Sequence, residues 1–248
     1  MRPEREVDLV LMLAEDGLTS LEIARRTGIP RSTIRDWRNG HVPQRPREHE
    51  CLEQHLKSLD EAAYSYLLGM YLGDGCISDH PRGVCRLRIT LDAVHPGIAA
   101  ECINAIEAVV PGKRAHLLRR RDQRSVEVSN YWKHWPCLVP QHRKGRKHMR
   151  RITLSDWQRR IVDVHVERFI RGLIHSDGTR IVATERKGRN VRRASRYAFK
   201  NRSEDILGLF QAACNAAGVH CTRASQTQIA VYSKAAVARL DEFVGPKT

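Results

Sequence analysis

The sequence predicts an α+β protein in which one αββαββα unit occurs twice, preceded by a small all-α domain. The apolar segment Leu67–Gly75 recurs in altered form as Ile170–Gly178, and both copies end in Asp-Gly. The helix and strand patterns that follow the two copies also come in the same order. We therefore expect a pseudo-twofold molecule with an N-terminal domain and linker at 1–47 and repeats at 48–153 and 154–248.

The N-terminal domain has the periodicity of three short helices separated by turns. Gly28 supplies a tight turn before the third helix, which we expect at about Arg31–Arg38 with Ile34 and Trp37 buried. This is the order of a helix-turn-helix, whose third helix enters the DNA groove. An ordinary three-helix bundle is the alternative, but the phrase SLEIARRTGIPRSTIRDWRNG resembles the motif of bacterial regulators. The outward residues expected to contact DNA are Ser32, Thr33, Arg35 and Arg38.

The charge indicates a polyanionic partner. The chain has 43 Lys and Arg against 28 Asp and Glu, a net charge of +15. Such an excess favours nucleic acid as the partner, the alternative being a basic surface that serves only solubility. Residues 1–48 contain nine arginines and eight acids, a net charge of +1, so the remaining +14 belongs to the repeats. The repeats themselves are therefore expected to contact nucleic acid.

No apolar run approaches the roughly 20 residues of a transmembrane helix. The N-terminus has no apolar signal core, so we expect a cytoplasmic, nucleoid-associated protein without membrane contact. Seven cysteines, none in a C-x-x-C pair, indicate reduced packing residues. A zinc site that uses Cys137 with His134, His142 or His148 is an alternative, but its spacing matches no standard ligand set.

The elements of the two repeats correspond in order. In the first, a helix that ends at Asp74 is followed by strands at 75–78 and 85–91, a helix at 95–110, strands at 114–118 and 125–129, and a short helix at 131–138. In the second, a helix that ends at Asp177 is followed by strands at 179–184 and 196–200 around a basic hairpin, a helix at 203–217, strands at 221–225 and 228–233, and a helix at 234–244. Both repeats also place a lysine 73 or 70 residues after the acid, Lys147 and Lys247.

On these motifs the chain resembles the two-motif LAGLIDADG family, best known for homing endonucleases. The similarity covers about residues 60–248, with Gly69 and Gly172 at the third motif position and Asp74 and Asp177 at the eighth. Stretches such as GRKH and NRSEDI resemble stand-alone actinobacterial proteins with the same layout. The resemblance implies a monomer with two antiparallel four-stranded sheets that form a saddle over the DNA major groove.

The motif residues suit a metal site. Small side chains allow two helices to approach closely, which would bring Asp74 and Asp177 together. Two adjacent carboxylates repel each other unless cations intervene, and hard ions such as Mg²⁺ (or Mn²⁺) prefer oxygen ligands. Such ions activate water in phosphodiester hydrolysis. The alternative is that the acids only cap turns beside glycine. The helix-packing residues are Gly69 and Gly172, and Gly73 and Ser176 join the two acids as metal-site residues.

Lys147 and Lys247 are candidate catalytic residues. The family commonly has a basic residue near this place, where it can polarise water or balance charge on the phosphate. The alternative is an ordinary phosphate contact. The sixth motif position, often acidic in the family, is Leu72 in one repeat and His175 in the other, so the repeats are unequal.

The strands are expected to carry the DNA-reading surface. The candidates for the groove face are Arg86, Arg88, Glu127, Ser129, Tyr197, Lys200, Gln226 and Gln228. Basic runs at 113–124, 143–151 and 186–202 are expected to contact phosphates. Among them we single out Arg119, Arg121, Lys144, Arg146, Arg192 and Arg193.

These features favour a site-specific, divalent-metal-dependent double-strand DNA endonuclease of the homing type. The alternative is a transcriptional regulator that keeps the scaffold and binds DNA without cutting it. An RNA maturase is a third reading, which the helix-turn-helix disfavours. Retention of both motif acids favours the endonuclease, because a protein that only binds DNA does not need them.

Overall fold

The computed structural model describes residues 4–41, 48–119, 124–143, 145–187, 190–245 and 247. The chain divides into two compact units, Met1–Cys51 and Leu52–Thr248. Among the described residues, no helix combines the length and apolar character that crossing a membrane requires.

The N-terminal unit contains α1 (Glu4–Glu15), α2 (Ser20–Thr27) and α3 (Arg31–Arg38). A capping box begins α2, because the Thr19 hydroxyl accepts from the Glu22 amide (3.3 Å) and the Glu22 carboxylate accepts from the Thr19 amide (2.8 Å). Gly28, with φ +70°, ends this helix in the left-handed conformation. Ile34 and Trp37 are buried in the core of the unit. The predicted helix-turn-helix arrangement is confirmed.

The boundary between the two units falls within α4 (Glu48–Leu56). The first repeat follows in the larger unit. Its elements are α5 (Glu61–Asp74), β1 (Gly75–His80), β2 (Val84–Asp92), α6 (Pro96–Val109), β3 (His116–Arg119), β4 (Ser125–Trp132) and α7 (Trp135–Leu138). The strands form one antiparallel sheet in the order β1-β2-β4-β3. The segment 131–132, predicted as the start of a short helix, continues β4 instead.

The second repeat follows a short helix that the sequence patterns did not predict, α8 (Asp156–Val164). Its elements are α9 (Val166–Asp177), β5 (Gly178–Lys187), β6 (Asn190–Lys200), α10 (Glu204–Ala216), β7 (Thr222–Ser225), β8 (Gln228–Val231) and α11 (Lys234–Val244). The sheet is again antiparallel, in the order β5-β6-β8-β7. The strands β5 and β6 are longer than predicted, because pairing continues along the basic hairpin.

The two repeats share one core, with α5 and α9 packed against each other at its centre. Residues 63–72 of α5 are all buried, which fits a helix covered on every side. On β2, Leu87, Ile89 and Leu91 are buried, and Arg86, Arg88 and Thr90 between them are only partly covered. Each sheet therefore has a core face and an open face. The predicted α+β fold with two four-stranded sheets is confirmed.

Candidate metal centre and nucleic-acid interface

The backbones of α5 and α9 touch where both helices carry glycine. A Cβ atom on Gly69 would lie 2.5 Å from the main-chain oxygen of Phe169 and 2.8 Å from the main-chain nitrogen of Leu173. A Cβ atom on Gly172 would overlap the main-chain oxygen of Tyr66. Since the obstructing atoms belong to the backbone, neither position can accept a side chain without moving the helices apart.

The same close approach brings the helix ends together. A Cβ atom on Gly73 would overlap the Ser176 side chain and lie 3.0 Å from Asp177 Oδ2. The Asp177 carboxylate therefore lies against the residue that precedes Asp74. Ser176 Oγ donates within its own helix, to the Gly172 oxygen (3.1 Å) and the Leu173 oxygen (3.0 Å).

Burial and mutual repulsion act on the two carboxyl groups. Burial raises the pKa of Asp74 to about 6, and the neighbouring Asp177 carboxylate adds to the rise. Burial also raises the pKa of Asp177, against the opposing effect of Asn201 Nδ2, which donates to Asp177 Oδ2 at 2.6 Å. Lys147 and Lys247 favour the ionised form of both acids. The two acids meet, but their surroundings differ.

Each lysine binds the C-terminal end of the motif helix of its own repeat. Lys147 Nζ donates to the main-chain oxygens of Tyr71, Leu72 (3.1 Å) and Gly73 (2.9 Å). Lys247 Nζ donates to the main-chain oxygens of His175 (3.3 Å) and Gly178. The ammonium groups thus neutralise the negative ends of both helix dipoles next to the acids. Burial lowers the pKa of Lys147 to about 8 and also lowers the pKa of Lys247.

The donor set fits a hard, hydrated cation. It consists of two carboxylates and main-chain oxygens, and the Gly73 oxygen is shared with Lys147. Within the described part of the chain, no three His, Cys, Asp or Glu side chains are grouped so that they could hold a metal ion. This applies also to the surroundings of Cys137, where zinc was the alternative. Mg²⁺ suits a site with two carboxylates because it usually keeps several water ligands.

Two cavities flank the acid pair and differ in charge. The first, about 700 Å³, is lined by Asp177 and by the basic residues Arg143, Arg146, Lys147, His148, Arg150, Lys200 and Arg202. The second, about 950 Å³, contains Asp74, Asp92 and Asp177 together with Arg124, Arg180, Lys200 and Lys247. Asp177 and Lys200 line both. Phosphate groups can therefore approach the acids over a basic surface.

The architecture consists of two αββαββα repeats. They are joined through two helices that carry glycine at their contact and end in paired aspartates. The chain has the two-repeat LAGLIDADG fold. Similar solved structures include the N-terminal LAGLIDADG domain of DUF199/WhiA, at 14% identity and TM-score 0.46, over 82% of this chain and 94% of that one. I-DmoI in complex with DNA and Mn has 14% identity and TM-score 0.49, over 76% of this chain and 99% of that one. I-WcaI bound to its DNA recognition sequence has 10% identity and TM-score 0.47, over 84% of this chain and 92% of that one.

In the N-terminal unit, the family model of the homeodomain-like domain matches residues 3–42. Among curated proteins, none matches the chain significantly in sequence.

In the first LAGLIDADG repeat, the register of the sheet defines its open face. Arg86 pairs with Tyr131, Arg88 with Ser129, and Thr90 with Glu127, so these side chains share the face opposite the core. Glu127 and Ser129, predicted to face the groove, are only 4% and 3% exposed. Glu127 is buried because Arg86 Nη2 donates to its carboxylate at 2.5 Å and the arginine side chain covers it. These two residues are on the predicted face but are not available to contact bases directly.

In the second repeat, Lys200 and Gln228 are register partners on the open face. Gln226 lies in the turn between β7 and β8. The prediction for Tyr197 was wrong, because its side chain points to the core face and its hydroxyl donates to Asp241 Oδ1 at 2.5 Å. Tyr197 and Lys200 are three residues apart on one strand, and side chains alternate with period two, so they cannot share a face.

The other predicted DNA contacts are spread over the surface. Arg119 is exposed on the edge strand β3 and pairs with Val126, a residue of the core face. In α3, Ser32, Arg35 and Arg38 are exposed and Thr33 is half-buried; Arg38 Nη1 donates to Ser20 Oγ at 3.2 Å. Arg121 and Lys144 lie outside the described residues, as do the side chains of Arg192 and Arg193, whose backbone belongs to β6.

The sequence patterns missed Asn201, the residue that holds the Asp177 carboxylate. Its position between the end of β6 and Ser203, which caps α10, gave one signal. The end of β6 pairs with the start of β5, directly after Asp177 (Gly178 with Phe199), so a polar residue that follows β6 lies near this acid. The corresponding segment of the first repeat has Asp92 and His95 instead, so no sequence symmetry pointed to it.

Proposed function

We propose that the protein is a site-specific DNA endonuclease that depends on Mg²⁺ or Mn²⁺. The observation that carries this proposal is the pair of aspartates, one from each repeat, held together by backbone contact between their helices. Burial raises the pKa of Asp74, and repulsion by Asp177 adds to the rise. A purely structural contact between the helices would not require two acids there. A divalent cation relieves the repulsion.

In this proposal Asp74 and Asp177 hold the metal, and the main-chain oxygens of Gly73 and Ser176 complete the protein's share of the ligands. A bound metal would supply an activated water and charge neutralisation at the scissile phosphate. Lys147 and Lys247 are proposed as catalytic residues that balance the charge of the reacting phosphate. Their ammonium groups are already fixed by the helix ends, so little reorganisation would be needed.

The open faces of the sheets and the basic cavities are proposed to bind double-stranded DNA, and α3 of the helix-turn-helix to extend the footprint. Arg86, Arg88, Lys200 and Gln228 are the proposed base-reading candidates, and the exposed arginines are proposed to contact phosphates. Because one chain supplies both aspartates, we propose that a monomer forms a complete site, and that the protein acts in the cytoplasm on the nucleoid.

A regulator that binds DNA without cutting it is the second candidate. One observation favours it: the Gly73 oxygen, a proposed metal ligand, accepts a hydrogen bond from Lys147, and among the described residues no third His, Cys, Asp or Glu side chain is grouped with the two acids so that it could hold a metal ion. A site of this kind can persist as a purely structural joint in which lysines replace the metal.

Incubation of the purified protein with fragmented genomic DNA tests the proposal. With Mg²⁺ or Mn²⁺, sequencing of the new ends should reveal cuts at a small set of related sites. With EDTA or Ca²⁺, the same sites should be bound and remain intact. Site-specific binding without new ends under any of the metals would support the regulator and reject the endonuclease.

The role of the lysines can be tested separately. Lys147→Met and Lys247→Met should each lower the single-turnover cleavage rate by about 10²–10³-fold, the usual effect of removing one preorganised electrostatic group. DNA affinity in Ca²⁺ should change by less than about threefold, since the buried ammonium groups are one or two among many charges. Arg146→Met is the matched control in the same basic cavity, and it should weaken binding more than the rate. Equal losses of rate and affinity in the lysine variants would contradict the catalytic role.

A further inference from the structure

Helix α9 carries two polar residues where the first motif helix carries leucines. Arg171 and His175 stand six and two residues before Asp177, and the same places before Asp74 are Leu68 and Leu72. Both leucines are buried, and His175 is only 4% exposed. A polar group in such a place costs stability unless its hydrogen bonds are made. The partners of Arg171 and His175 therefore indicate what the second repeat gains from them.

Both residues bind the last turn of α11. Arg171 Nη1 donates to the main-chain oxygens of Phe243 (2.9 Å) and Val244. His175 Nε2 donates to the Val244 oxygen (3.1 Å), and its Nδ1 then accepts from the Tyr66 hydroxyl (3.0 Å). The end of α11 is thus fixed to the motif helix by side chains that the first repeat does not have.

Arg171 is itself held rigidly. Its Nε donates to Glu101 Oε1 at 2.8 Å, and its Nη2 donates to Glu101 Oε2 at 2.7 Å. This two-point contact orients the guanidinium so that the remaining nitrogen points at residues 243–244. Arg168 donates to the same Glu101 carboxylate (3.0 Å) and, within the described part of the chain, to no atom of residues 243–247.

The anchored turn leads directly to Lys247. Gly245, with φ +67°, redirects the chain, and a Cβ atom there would lie 3.1 Å from Arg171 Nη1. Two residues later, Lys247 Nζ binds the oxygens of His175 and Gly178 beside the two acids. We infer that Arg171 and His175 are positioning residues that hold Lys247 at the acid pair. The inference rests on the proposed function only for the role of Lys247 in cleavage.

The first repeat places Lys147 by other means. Tyr64, in α5, donates from its hydroxyl to the Leu138 oxygen at 2.6 Å, and Arg150 Nη1 donates to the Gln141 oxygen, so the segment before and after Lys147 is held by a different set of contacts. Lys147 is therefore an internal reference. Loss of the Arg171 and His175 contacts should loosen one lysine and leave the other in place.

Acetylation of lysines in the free protein, followed by mass spectrometry, tests the inference without DNA. Arg171→Lys keeps a positive charge near Glu101 but cannot span its carboxylate and two carbonyls, and His175→Leu restores the residue of the first repeat. In both variants Lys247 should be acetylated about tenfold faster than in the wild type, with Lys147 within about twofold, as expected for local opening. Arg168→Gln, which removes another partner of Glu101, should leave the acetylation of Lys147 and Lys247 as slow as in the wild type.

An unchanged acetylation rate of Lys247 in both variants would overturn the inference. An equal rise in the acetylation rate of Lys147 would also overturn it, since that indicates general loosening of the structure. If the wild type cuts DNA, the two variants should also cut more slowly than the wild type, because Lys247 is a proposed catalytic residue. If the wild type does not cut, the proposed function fails, and the acetylation ratio of Lys247 to Lys147 still decides the positioning role.

Discussion

Asp74→Asn is expected to abolish metal-dependent cleavage and, at neutral pH, to stabilise the metal-free protein. An acid whose pKa is higher in the folded than in the unfolded state favours folding at low pH and opposes it at high pH. For Asp74 the pKa rises from 3.8 to about 6. The free energy of unfolding should therefore fall by about 2 kcal/mol between pH 4 and pH 7 through this group, at 1.36 kcal/mol per pKa unit. The Asn variant has no ionisable group at this position and therefore lacks this fall in the free energy of unfolding.

Urea unfolding at pH 4 and pH 8, with and without Mg²⁺, measures the effect. At pH 8 the variant should be more stable than the wild type in EDTA, and Mg²⁺ should stabilise only the wild type. Asp92→Asn, an exposed acid in the same cavity, is the matched control and should behave like the wild type. DNA binding in Ca²⁺ should survive in Asp74→Asn. Equal stabilisation of wild type and variant by Mg²⁺ would show that the metal binds elsewhere.

The central features of the fold could be predicted because they depend on local patterns. The glycines Gly69 and Gly172 and the two Asp-Gly ends lie within nine-residue segments, and a close helix contact is their direct physical consequence. Lys147 and Lys247 could be predicted because each follows the acid of its own repeat by nearly the same number of residues. The helix α8 was missed, although a capping box at Ser155 and Gln158 begins it, because it corresponds to no element of the repeat.

The residues that could not be predicted depend on contacts between distant segments. Glu127 follows the alternation of β4 correctly, but its burial is caused by Arg86, 41 residues away, whose long side chain covers it. Arg171 and Glu101 are 70 residues apart in the sequence. Strand pairing decides such contacts, and a shift of one residue in register would reverse every face.

Gly172→Ala should destabilise the protein severely, although alanine favours helices by about 1 kcal/mol over glycine in an exposed position. The added methyl group would overlap the Tyr66 oxygen and lie 3.0 Å from the Met70 nitrogen, both backbone atoms of α5. The two helices must separate, so core contacts on both sides are lost. We expect the free energy of unfolding to fall by about 3 kcal/mol or more. Urea unfolding followed by far-ultraviolet circular dichroism measures the change.

Gly208→Ala is the matched control within the same unit. Gly208 also lies inside a helix, α10, but a Cβ atom there would meet nothing within 4 Å. The same substitution should therefore stabilise the protein by about 0.5–1 kcal/mol through helix propensity. Opposite signs in the two variants would show that contact between the motif helices, rather than the loss of a glycine, controls stability. If Gly172→Ala were instead neutral, α5 and α9 would be further apart than the structure has them, and the paired aspartates would lose the geometry on which a shared metal site depends.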